Sequence, residues 1–83
     1  GSENLVEALK IGAFIEEYDI ADLKRLLEET QNTDVIRVYG HLLGGSENHM
    51  WAFTNALKQQ SATYNPTIIT NEEYQEILNT TED

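Results

Sequence analysis

Between Asn4 and Thr30 apolar residues return every three or four positions without a proline, and Leu, Ala, Glu, Lys and Arg predominate, the pattern and composition of a long amphipathic helix. At about 100° per residue, Leu5, Leu9, Leu23 and Leu27 share one narrow band, with Gly12, Ala13 and Ile20 beside it, and that band is the expected buried face. Lys10, Lys24, Arg25 and Glu28 fall opposite or to its side. A polar break at Gln31-Asn32-Thr33 then precedes a second helical pattern, with Asn32 or Thr33 able to cap it and Val35, Tyr39, Leu42, Met50, Phe53 and Leu57 forming its apolar face. Gly44-Gly45 interrupts this second pattern. Two glycines cost helix stability, yet they also let a neighbour approach closely, and the reading favours a continuous helix.

Residues 61–69 read as an extended connection, because Pro66 biases Asn65 away from helix. Thr70-Asn71-Glu72-Glu73 is a capping box that opens a short third helix, docked through Tyr74, Ile77 and Leu78, and residues 79–83 are expected to fray. The predicted architecture is therefore all-α and spans one domain, residues 1–83, with helices at about 3–30, 34–59 and 71–78. The short connection between the first two makes them an antiparallel hairpin. A single hairpin leaves part of its apolar surface without a cover, so dimerisation into a four-helix bundle is expected.

Composition narrows the functional classes. Fifteen acidic against five basic side chains, a net charge of −10, would repel nucleic acid and anionic membrane surfaces. No apolar run approaches the roughly 20 residues of a membrane span, and no signal-peptide pattern is visible, so a cytoplasmic location is expected. The absence of cysteine leaves only nitrogen and oxygen ligands for any metal.

Candidate chemistry comes from polar residues placed where apolar ones belong. Glu16 falls at the centre of the first helix's leucine band, with Asp19 one turn later on the same side. A lone carboxylate there needs a cation, a hydrogen-bond network or a proton. An alternative phase puts Glu17 outside and lets Glu16 reach the edge of the bundle. On the second helix, Ser46 lies near the centre of the apolar face and His49 one turn further, whereas His41, Glu47 and Asn48 lie off it. An inward imidazole opposite inward carboxylates is the donor set of a bundle-core metal site, and a neutral core histidine bonded to Ser46 or a carbonyl is the competing reading. Asp19, Ser46 and His49 do not make a hydrolase triad, since serine and histidine on one regular helix have neither a strained elbow nor an oxyanion hole.

The stretch from Glu7 to Leu23, the stretch from Gly45 to Phe53, Tyr64-Asn65-Pro66 and Glu73-Tyr74 together resemble an uncharacterised prokaryotic ferritin-like family, domain of unknown function 2202, and match the second half of its domain. The resemblance implies a ferritin-like bundle in which Glu16 takes the lone-carboxylate position and His49 the histidine of a Glu-x-x-His motif. Ser46 stands where the motif's glutamate belongs, a departure for which Asp19 is the nearest substitute. The implied site is thus Glu16, Asp19 and His49, drawn from two copies, with iron or manganese as the metal and a metal-dependent oxidoreductase as the form any catalysis would take. The alternative is a non-enzymatic structural or interaction module with a vestigial polar core.

Overall fold

The computed structural model describes residues 2–80. It contains three helices, α1 (Ser2–Glu29), α2 (Thr33–Gln59) and α3 (Asn71–Thr80), and no strand among the described residues. The helices start and stop where local chemistry directs. Asn32 caps α2, its side-chain oxygen accepting from the Asp34 and Val35 amides at 2.9 and 3.2 Å. At the start of α3 the capping box closes both ways: the Thr70 amide donates to Glu73 Oε1 at 2.9 Å and the Glu73 amide donates to Thr70 Oγ1 at 3.1 Å. α2 ends in a turn whose Ser61 has a positive φ of 57°.

With only residues 30–32 between them, α1 and α2 run antiparallel along a body 46 Å long and 21 Å across. Residues 61–70 then cross one side of this hairpin, and α3 packs beside them through Tyr74 and Ile77, both buried. Ala13, Ile20, Met50, Ile69, Tyr74 and Ile77 form the core, with Ala21, Leu43, Phe53, Tyr64 and Leu78 packed around it. α2 passes through Gly44-Gly45 without a break, and a Cβ added at either glycine would meet nothing within 4 Å. Gly12 is different: a Cβ there would lie 2.5 Å from Phe53 Cε1 and Cζ, so the phenyl ring occupies the space the missing side chain leaves.

Three expectations are corrected. The deepest line of α1 is Ala13, Glu17 and Ile20, all fully buried, rather than the leucine band, of which Leu9, Leu23 and Leu27 are half-buried and Leu5 is 45% exposed. The reason is that α1 has two neighbours in this chain, α2 on one flank and residues 61–70 on the other, and the line between them is the one most fully enclosed. The leucine band is turned from that line toward the side of the hairpin that nothing among the described residues covers. Secondly, Glu17 is inside rather than outside. Thirdly, Asn79 and Thr80 are helical rather than frayed, and residues 81–83 of the expected tail lie outside the described residues.

Candidate functional site

Two acidic side chains organise the two sides of α1. Glu17 faces the crossing segment. Its Oε2 accepts from the amides of Thr67, Ile68 and Ile69, at 2.9 Å from Thr67, 2.5 Å from Ile68 and 2.8 Å from Ile69, and its Oε1 accepts from the Tyr64 hydroxyl at 2.6 Å. Three consecutive backbone amides aimed at one carboxylate oxygen form an anion-binding nest, which here closes on the chain's own side chain. Burial raises the Tyr64 phenol well above its ordinary range, and its hydrogen bond to the Glu17 carboxylate raises it further. Burial raises Tyr74 too, with the Glu17 charge adding to it, and the two tyrosine rings meet edge to face at 6.3 Å between centroids. All four donors on Glu17 come from residues 64–69, so this arrangement holds the crossing segment on α1.

Glu16, one residue earlier, faces the uncovered side. Its side chain is only 15% exposed, and its Oε2 lies 3.5 Å from Nδ1 of His49, whose side chain is 68% exposed. The antiparallel register of the hairpin therefore brings together the two residues singled out from separate helices. Asp19 is exposed, Ser46 is half-buried one turn before His49, and His41 is exposed. Among the described residues no group of three or more His, Cys, Asp or Glu side chains gathers in a metal-holding arrangement. One chain thus presents two donors, a carboxylate and an imidazole. Two atoms each bound about 2.0–2.2 Å from a shared ion stand roughly 3–3.5 Å apart, so their separation suits a common ion even though the set is short of the usual four ligands.

Glu47, expected to point outward, is half-buried next to α3. Burial raises its carboxyl, Glu76 adds to that effect and Lys24 opposes it. Lys24 is itself paired to Glu73 at 3.2 Å, and Glu73 is held below the ordinary carboxylate range first by the Thr70 amide and then by Lys24. A half-open cleft of about 430 Å³, lined by Trp51, Lys58, Tyr64 and Tyr74 among others, lies between α2, the crossing segment and α3, on the side away from Glu16 and His49. Glu17's role was not visible in the sequence, because no periodicity shows which side chain will receive the amides of a non-helical segment 50 residues away.

No described helix is long and apolar enough to cross a membrane. Comparison with known proteins gives a consistent family picture. Uncharacterized protein MJ0754 of Methanocaldococcus jannaschii is 46% identical over 78 residues, which cover 94% of this chain and 42% of that protein. The crystal structure of the hypothetical protein MJ0754 superposes with a TM-score of 0.89 at 45% identity, over 94% of this chain and 45% of the solved one. The chain therefore spans less than half the length of that relative. The model of an uncharacterized protein domain, DUF2202, matches residues 1–81. The chain belongs to the DUF2202 family.

Proposed function

We propose that this chain is a cytoplasmic, self-associating helical module of ferritin-like type whose uncovered face binds a divalent metal, iron or manganese, through Glu16 and His49. The observation that carries this reading is the 3.5 Å approach of a largely enclosed carboxylate to an imidazole on a side of the hairpin that nothing among the described residues covers. Two copies brought together on that side would offer two carboxylates and two imidazoles, a complete set of oxygen and nitrogen donors suited to either metal. Asp19, exposed one turn from Glu16, is the further oxygen donor available at the edge of the same face. Ser46 supplies no bridging carboxylate, so no oxygen-activating step is drawn from this site.

A second reading has its own support. Two donors, with no third converging among the described residues, also describe a polar pair that fixes how helices register against one another without a metal. The test is equilibrium uptake of ferrous iron, manganese and zinc by chelator-treated protein, followed by elemental analysis. Uptake of iron or manganese that disappears in Glu16→Ala and in His49→Ala supports the metal site. Uptake of none of the three, or uptake indifferent to both substitutions, overturns it. Greater stability and unchanged assembly on replacing Glu16 and His49 together by leucine would favour the polar-pair reading.

A further inference from the structure

The cleft between α2, residues 61–70 and α3 has a volume of about 430 Å³, within the range of sites that take small organic molecules. Along its α2 wall Trp51, Asn55 and Lys58 follow one another at intervals of four and three residues, so they share one side of the helix and span about 10 Å of its axis. Tyr64 of the crossing segment and Tyr74 and Leu78 of α3 complete the lining from the other two elements. That aromatic wall is fixed from within the fold: the Tyr64 hydroxyl is tied to Glu17 at 2.6 Å, Tyr74 is buried, and the two rings meet edge to face. We infer that the cleft is a binding site for a small planar aromatic carboxylate, held with its ring against Trp51 and the tyrosines and its carboxylate toward Lys58.

Three observations select that chemistry. Lys58 is the one charged side chain among those lining the cleft, in a chain with fifteen acidic and five basic residues. Among the described residues Lys24, Arg25 and Arg37 are each paired with carboxylates, whereas Lys58 pairs with none. An ammonium group without a counter-charge, beside aromatic walls and with no carboxylate on the lining, favours an anion and opposes a cation. A single ammonium group also matches one carboxylate better than a polyanion. The second observation is the wall itself, since Trp51 is only half-buried and a flat ring can stack on it or meet the tyrosines edge to face. Thirdly, Asn55 is half-buried, and its side chain makes no hydrogen bond to another described residue, so its amide is available to a polar group entering the cleft. A purely apolar ligand, such as an alkyl chain, would cover Asn55 and Lys58 without giving either a partner.

The inference is independent of the reading of Glu16 and His49, which lie on the other side of the hairpin and need no metal for this site to work. Two-dimensional NMR of the isotope-labelled full chain in chelator tests it, with cinnamate and its neutral amide, cinnamamide, as probes of nearly equal shape. The chain has one tryptophan, so the Trp51 indole N–H gives a single side-chain resonance that reports from the cleft wall. Saturable shifts are expected at Trp51, Asn55, Lys58, Tyr64 and Tyr74, with cinnamate bound about fivefold more tightly than cinnamamide, the scale of one part-exposed ion pair.

Lys58 is exposed, so its substitutions should leave the helical circular dichroism unchanged. Lys58→Gln should abolish the preference for cinnamate, and Lys58→Glu should turn it toward the cationic cinnamylamine. A chain that gives no saturable shifts with cinnamate overturns the inference, as do shifts centred elsewhere, for example on the exposed side chains of Ile11, Phe14 and Tyr18. Equal binding of cinnamate and cinnamamide, or a preference that survives Lys58→Gln, overturns it as well.

Discussion

Glu16 and Glu17 are adjacent in the chain and face opposite sides of the hairpin, one touching His49 on the open side and the other receiving Tyr64 and three backbone amides on the closed side. A rotation of about 100° between consecutive helical residues is enough to separate a contact on the open side from an internal latch. The two carboxylates are expected to respond differently to substitution, since one is integral to the monomer's fold and the other is not.

Removing the latch should cost the monomer most. Glu17→Ala leaves three amides and one hydroxyl without their acceptor, and unfolding in urea should show a loss of ~3–5 kcal/mol. Glu17→Gln keeps one oxygen for the amides and presents its amino group to the Tyr64 oxygen, so a smaller loss of ~1–2 kcal/mol is expected, mostly from the lost charge assistance. Equal effects of the two substitutions would mean that the negative charge, and not the oxygen acceptor that glutamine retains, carries the whole contact.

The phenols on that same side define a window at alkaline pH. Tyr64 and Tyr74 are raised in the folded chain, so the fold keeps their protons after the unfolded chain has released them. The stability this contributes is fully present below the ordinary tyrosine value of about 10 and declines as pH rises from there toward the raised values. Spectrophotometric titration should show tyrosinate absorbance arriving late, and Tyr64→Phe should remove part of the late fraction. A titration completed at the ordinary value with the fold intact would contradict the buried Tyr64–Glu17 contact.

Glycine-to-alanine substitutions should separate by neighbourhood. Gly12→Ala drives a methyl group into the Phe53 ring and should destabilise by ~1–3 kcal/mol. Gly40→Ala and Gly44→Ala meet open space within helical backbone and should stabilise by up to ~1 kcal/mol each. Thermal unfolding of the three single variants compares them directly, and a stabilising Gly12→Ala would contradict the close helix contact.

Much of this architecture was legible from residue order. The caps at Asn32 and Thr70, the docking of Tyr74 and Ile77, and the continuity of α2 all follow from local chemistry, which sequence displays directly. Glu16 and His49 were both expected to face inward; the two lie 3.5 Å apart, but His49 is 68% exposed rather than inward, because it sits at the rim of the hairpin where the helix contact ends. What escaped was the rotation of α1. A leucine band marks where apolar area lies, not which strip a neighbouring segment encloses, and the enclosing segment here is a non-helical stretch whose position depends on a single carboxylate. Asp19 shows the converse: it shares a side with Glu16 by spacing, yet it is exposed, because a turn's advance carries it past the cleft between the helices.

The phenyl ring of Phe53 seated over Gly12 works as a tooth in a notch. Two smooth helices could slide past each other by one turn and exchange one set of leucine contacts for another of similar worth. With the ring engaged, such a slip would push it onto a residue that carries a side chain, so the sliding coordinate has one deep position instead of several shallow ones. Residues inserted between Thr30 and Asn32 would therefore bulge out as loop, leaving Glu16 level with His49.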